Sequence, residues 1–140
     1  MNKNSSKQIK VMLFGTFDIV HAGHRDMFQQ AKTYGNFLIV SIAREQNIVK
    51  IKGTAPRNNE QTRLAQIQKE SLVDKCFLGE ITDPFAVIKR EKPDIIALGY
   101  DQHHTLAKQL PQKLKEMDLS HIKIVRLKPY HPEVYKSSKL

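Results

Sequence analysis

The segment FLIVSIA, residues 37–43, is an unbroken run of apolar and small side chains. A strand with one face in water alternates apolar and polar residues. An unbroken run instead fits a strand buried on both faces, and such strands belong to parallel sheets covered by helices. Shorter runs of the same kind recur at IKVMLF (9–14), KCFLG (75–79), DIIALG (94–99) and HIKIVRL (121–127).

Helical spacing fills the intervals. Asp26, Met27, Phe28, Ala31 and Tyr34 step along a first helix, which Gly35 is expected to close as a left-handed cap. Asn59 is expected to cap a helix carrying Leu64, Ile67 and Gln68, and Asp83 caps another with Pro84 at its first position. Leu106, Leu110, Leu114 and Met117 mark the last. The stretch REQNIVKIKGTAPRNNE (44–60) has weak periodicity and contains Gly53 and Pro56, so it reads as a long loop with room for one helical turn. Loops of this length inside a compact domain are often functional.

Five strands alternating with helices through right-handed crossovers predict an α/β fold: a single doubly wound domain with a parallel five-stranded sheet, Rossmann-like in class. At 140 residues and 40% hydrophobic content the chain can bury one core without disulfide or metal staples. Residues 1–8 are expected to form a flexible N-terminal tail and 9–140 the domain. The lone cysteine, Cys76, excludes a disulfide framework within the chain and is expected to be a buried core thiol. No apolar run reaches about 18 residues, and MNKNSSKQIK lacks the apolar stretch of a secretory signal, so the expected location is the cytoplasm, with no membrane partner.

The net charge of +9 admits nucleic acid, a membrane surface or small anions as partners. The lysines are scattered over the tail (Lys3, Lys7, Lys10), the middle (Lys50, Lys52) and the later helix and strand (Lys108, Lys113, Lys115, Lys123). No zinc-finger spacing or aromatic single-strand-binding motif accompanies them, which favours a small polyphosphate over nucleic acid.

A doubly wound sheet binds ligands at the carboxyl ends of its strands, beside the switch in strand order. FGTFDIVHAGH (14–24) lies at the end of the first strand. Gly15 allows a sharp turn and close backbone approach, Thr16 offers a hydroxyl, and a helix starting near Ala22 aims backbone N–H groups at the same space. His21 and His24, about one turn apart, can donate to one phosphate from two directions. Zinc would need three or four ligands, and only Asp18 is nearby, so no metal site is assigned; the alternatives for the pair are capping or core histidines.

GTFDIVHAGH resembles the signature GTFDxxHxGH of the cytidylyltransferase-like nucleotidyltransferases within the HxGH superfamily. The resemblance extends through VDKCFLGE and KPDIIALGYDQ to the serine-containing end of the chain. It implies transfer of a nucleoside monophosphate from a nucleoside triphosphate to a phosphate-bearing acceptor, with release of pyrophosphate. By that resemblance His21, His24 and Lys52 are the catalytic candidates. Gly15, Thr16, Phe17, Gly99, Asp101, Ser137 and Ser138 join the two histidines as nucleotide-binding candidates, Asp101 near the ribose and the serines near the β- and γ-phosphates.

Asp18 either orients the acceptor or a metal, or fixes a histidine tautomer. Lys50 and Lys52, read as alternating along an extended stretch, share one side. They are either solvated or reach the phosphates, with Lys52 favoured for that reach. Arg63 is either a surface charge or an acceptor clamp, and Asp18, Lys50 and Arg63 are carried as acceptor-binding candidates. A divalent cation, Mg²⁺ or else Mn²⁺ or Co²⁺, is expected with the triphosphate, and family members are commonly homodimers.

Glycerol-3-phosphate cytidylyltransferases carry an Arg-Thr-Glu-Gly-Ile-Ser-Thr-Thr stretch after the last strand, where this chain has LKPYHPEVYKSSKL; Ser71 also stands where they have an arginine. AREQNIVKIKG, LGYDQ and KSSKL look similar instead to archaeal-type FAD synthetases, which use ATP and FMN. The alternatives are a glycerol or sugar phosphate acceptor and, from another class, a non-catalytic nucleotide- or RNA-binding module.

Overall fold

The computed structural model describes residues 7–102 and 105–130. Its elements run β1 (Lys10–Gly15), α1 (Ala22–Lys32), β2 (Phe37–Ile42), α2 (Glu45–Lys52), α3 (Glu60–Gln68), β3 (Lys75–Leu78), α4 (Ala86–Glu91), β4 (Ile95–Leu98), α5 (Thr105–Glu116) and β5 (Lys123–Arg126). The strands form one parallel sheet in the order β3-β2-β1-β4-β5, with Met12 of β1 in register with Ile39 on one side and Ile96 on the other. The expected doubly wound α/β sheet is therefore present. Its switch in direction falls between β1 and β4.

The apolar runs are continuous because both faces of the sheet are covered. Val11, Leu13, Leu38, Val40 and Ile42 face Phe28 and Ala31 of α1 and Ile67 of α3. Met12, Ile39, Ile96 and Leu98 face Val87 and Ile88 of α4 and Leu110 and Leu114 of α5. Asp74 and Asp94, placed just before β3 and β4, accept from the backbone N–H of Leu38 and Lys10 at the start of the neighbouring strands (both 2.8 Å), which holds the register at that end.

Four local expectations are corrected. The 44–60 stretch is not all loop: α2 occupies eight of its residues, with Gly53 at φ 82° as its left-handed cap. Only Ile48 of α2 is fully buried, so the helix carries little apolar periodicity. Gly35 is not a left-handed cap; α1 ends at Lys32, with Thr33 as a right-handed C-cap. A β-carbon on Gly35 would stand 2.5 Å from the Ile9 carbonyl oxygen, so glycine is needed there for close passage beside the entry to β1. Helix α4 starts at Ala86 rather than at Pro84, while Asp83 Oδ1 accepts from the Phe85 N–H (3.1 Å) in the preceding turn. Cys76 is half-buried rather than fully buried, because β3 is an edge strand, and burial pushes its thiol pKa up. Residues 1–6 of the expected tail, and Ser137 and Ser138, lie outside the described residues. Among the described residues no helix is long and apolar enough to cross a membrane.

Candidate active site at the carboxyl ends of the strands

A cavity of about 790 Å³ opens at the carboxyl end of the sheet. Gly15, Thr16, Asp18, His21 and His24 line it from the segment after β1, Ala43, Arg44, Ile48, Ile51 and Lys52 from the segment after β2, and Asp101 and Gln102 from the segment after β4. It therefore straddles the switch point, the place where such sheets bind ligands.

His21 is the N-cap of α1, a role usually taken by Ser, Thr, Asp or Asn. Its Nδ1 accepts from the Gly23 N–H (3.1 Å), and the His21 N–H donates to His24 Nδ1 (3.3 Å). This is a reciprocal capping box built from two imidazoles. The rings stack with centroids 4.1 Å apart and planes 28° from parallel. With each Nδ1 accepting, the neutral rings carry their protons on Nε2.

The same bonds narrow the expectation of free amides at the start of α1. The Gly23 N–H is taken by the His21 ring, and those of His24 and Arg25 by the His21 carbonyl (3.0 and 3.2 Å). Burial and then the neighbouring charge of His21 lower the His24 pKa to about 4, against the opposing pull of Asp101, Glu70 and the Ile19 carbonyl. At neutral pH His24 is an uncharged hydrogen-bond donor.

Phe17 adopts a left-handed backbone, φ 51°, and its side chain is buried. The ring meets His24 edge-on at 5.2 Å and Phe28 at 5.9 Å. Phe17 thus supports the histidine from below while its ring stays in the core.

Asp18 lines the cavity, but its carboxylate is engaged by backbone rather than by a histidine. Its two carboxylate oxygens accept from the backbone N–H groups of Arg57 (2.6 Å) and Asn58 (2.7 Å), and Asn58 Nδ2 donates to the Asp18 carbonyl (2.6 Å). It fastens the segment before α3 to the signature loop. Burial raises the Asp18 pKa, but the two amides and the charges of Arg63 and Arg57 outweigh it and leave it lowered.

Arg63 points inward and is 0% exposed, so it is neither a surface charge nor positioned in the cavity wall. Its Nη1 donates to the carbonyls of Thr16 (2.9 Å) and Ala43 (2.8 Å), and its Nε to that of Asn58 (3.2 Å). One guanidinium ties together the ends of β1 and β2 and the entry to α3.

Lys50 and Lys52 lie on a helix, not on an extended stretch, and residues two apart on a helix do not share a face. Both are exposed, and Lys52 lines the cavity whereas Lys50 does not. Gly99 does not line it either: its N–H donates to Gln102 Oε1 (2.6 Å) and its carbonyl accepts from Arg126 Nη1 (2.8 Å). Asp101 is exposed on the cavity rim.

Three contributors escaped the reading of the sequence. Gln102 bridges the switch point, donating from Nε2 to the Phe14 carbonyl (3.0 Å) while accepting from Gly99. Arg44 binds Glu60 through the Nε–Nη2 edge of its guanidinium and donates from Nη1 to the Gly79 carbonyl (3.3 Å), and Glu60 also accepts from the Glu45 N–H (2.9 Å), which seats the start of α2. Arg126 donates to the carbonyls of both Gly99 and Gln102. The available signal was position alone: each stands at or just past the carboxyl end of a strand.

The fold and site define a phosphate-handling domain of the doubly wound class, with paired imidazoles at the switch point. A model of the cytidylyltransferase-like family matches residues 12–140, and the chain belongs to that family. It is 41% identical over 131 residues to a FAD synthase of Archaeoglobus profundus, covering 93% of this chain and 81% of that protein. It is 36% identical over 136 residues to a FAD synthase of Pyrococcus horikoshii, covering 96% and 88%. Among solved structures it resembles the lipopolysaccharide core biosynthesis protein of Thermoplasma volcanium, with a TM-score of 0.81, 37% identity and coverage of 89% of this chain and 99% of that one.

Proposed function

We propose that this protein is an FAD synthase, which transfers AMP from ATP to FMN and releases pyrophosphate. The observation that carries the reading is the reciprocally capped His21–His24 pair on the wall of the switch-point cavity, in a chain with such similarity to FAD synthases. A phosphate oxygen of FMN attacks the α-phosphorus of ATP, and the bond to the bridging oxygen breaks, so pyrophosphate leaves with the electron pair. Negative charge grows on the equatorial oxygens and the leaving group, so catalysis is positioning and charge stabilisation.

In this reading the Nε2–H groups of His21 and His24 donate to the phosphate oxygens, and Lys52 adds a positive charge from α2. Gly15, Thr16 and the backbone of Phe17 border the nucleotide, and Asp101 accepts from a ribose hydroxyl. Asp18 and Arg63 act by holding these segments in place.

Among the described residues no three His, Cys, Asp or Glu side chains cluster as a metal cage. Of the three carboxylates on the cavity wall, both oxygens of Asp18 are committed to backbone amides, while Glu80, paired with Arg90 (3.5 Å), and Asp101 are exposed. Such a donor set fits a Mg²⁺ carried by the triphosphate, which characteristically keeps waters and few protein ligands. The ion supplies neutralisation of the phosphate charge when bound.

A pyrophosphate-release matrix tests the reading, with ATP and CTP crossed against FMN, glycerol 3-phosphate and sugar phosphates, each with Mg²⁺, Mn²⁺ or Co²⁺. Turnover is expected with ATP and FMN. The name of the Thermoplasma volcanium neighbour gives a specific reason to include sugar phosphates, and turnover with those alone would replace FMN as acceptor. Absence of turnover with every pair would sink the enzyme reading. Homodimer formation is checked by sedimentation on the same samples.

A further inference from the structure

Two large apolar side chains stand exposed on the wall of the cavity that holds the paired histidines. Ile19 is 48% exposed and Ile51 is 49% exposed, and both line the cavity. Ile19 belongs to the loop between Asp18 and the histidine cap. Ile51 belongs to α2, one turn after Ile48, so the two share a helix face; Ile48 also lines the cavity and is 4% exposed. The same face ends in Lys52, while Val49 and Lys50 do not line the cavity.

The face is firmly placed. Glu60 holds the start of α2 through Arg44 and the Glu45 N–H, and Asn47 Nδ2 donates to the Glu80 carbonyl (3.2 Å). Phosphate, ribose and small polyols gain nothing from an apolar wall, whereas a flat heteroaromatic ring does. Ile48 and Ile51 follow β2 and so lie across β1 and its histidines from Asp101 and Gln102, which follow β4, while Ile19 follows β1 itself. An acceptor on the β2 side faces a nucleotide on the β4 side with the histidines between them.

We propose that Ile19 and Ile51, backed by Ile48, form the seat of the acceptor's isoalloxazine ring and select a flavin phosphate over a polyol phosphate. The proposal rests on the reading of FMN as acceptor. It makes Ile19 and Ile51 specificity-determining residues, with Lys52 beside them for the acceptor's phosphate.

The test compares FMN with ribitol 5-phosphate, which keeps the phosphate and chain of FMN but lacks the ring. FMN binding is followed by flavin fluorescence and ribitol 5-phosphate by competition, in the wild type and in an Ile19→Ser/Ile51→Gln variant. ATP affinity is titrated alongside, and circular dichroism checks the fold. The wild type is expected to bind FMN at least about 10-fold more tightly than ribitol 5-phosphate, and the variant to lose most of that difference with its ATP affinity retained.

If FMN is turned over but the variant keeps the wild-type KM for it, the ring seat is wrong and the FAD synthase reading stands. If the variant weakens ATP instead, the wall belongs to the nucleotide and the seat is again overturned. If the wild type binds FMN no more tightly than ribitol 5-phosphate, the seat falls; failure of AMP transfer to FMN in that sample removes the functional reading as well.

Discussion

The ring of Phe17 occupies the space that a β-carbon on Gly15 would need: such an atom would stand 2.7 Å from Cε2 and 2.8 Å from Cζ. The left-handed backbone at Phe17 folds the ring back over the end of β1, and only a glycine at position 15 leaves room for it. The ring then braces His24. Backbone turn, aromatic packing and imidazole placement are therefore one unit.

Gly15→Ala is expected to push Phe17 off its contact with His24, costing about 1–3 kcal/mol of stability as an overpacked site and lowering turnover as well. Urea unfolding and the pyrophosphate assay read the two effects. Combining it with Phe17→Leu should recover part of the stability, because the two residues share the same space. Additive losses in that double mutant would count against the coupling.

Arg63 turns a functional guess into a structural one. Its three carbonyl partners, Thr16, Ala43 and Asn58, lose their donor in Arg63→Met, and a loss of about 3 kcal/mol is expected from three orphaned, half-buried acceptors. Arg63→Lys should lie between, since one ammonium cannot reproduce the fork of a guanidinium. Because Thr16 and Ala43 end different strands on the cavity wall, KM should rise for nucleotide and acceptor together. A rise confined to the acceptor would restore Arg63 as an acceptor clamp.

The pKa of His24 predicts a defined acid window. The folded protein holds His24 neutral down to about pH 4, while an unfolded histidine takes a proton near its ordinary 6.5. Between these values the unfolded chain binds more protons, so stability should fall as pH drops from about 6.5 to about 4 and then level off with respect to this group. His24→Gln removes the group and should flatten that part of the profile. Urea midpoints at pH 7, 5 and 4 check it, and parallel declines in wild type and variant would show that His24 is not responsible.

The sheet was legible in the sequence because strands covered on both faces leave a strong signal, as FLIVSIA does, and the signature loop was legible because Gly15, His21 and His24 are adjacent in the chain. Helix α2 was not, since it packs largely at the cavity rim and only Ile48 is buried along its length. Missing it put Lys50 and Lys52 on one side, when helical geometry separates them. Arg63 and Asp18 have the charge of ligand contacts, and only the long-range bonds to Thr16, Ala43 and residues 57–58 reveal that both are committed to backbone.

His21 combines two jobs that substitution can separate. As an N-cap it stabilises α1 through Nδ1, and as a proposed phosphate donor it acts through Nε2. Asparagine is a strong N-cap whose oxygen can replace Nδ1, but it has no group where Nε2 stands. His21→Asn should therefore keep wild-type stability within about 0.5 kcal/mol while turnover falls about 10²-fold or more. His21→Ala should lose about 1 kcal/mol in addition, because neither atom remains. Thermal unfolding paired with single-turnover AMP transfer distinguishes the two jobs. Normal turnover in His21→Asn would remove His21 from the chemistry and leave it only as the cap of α1.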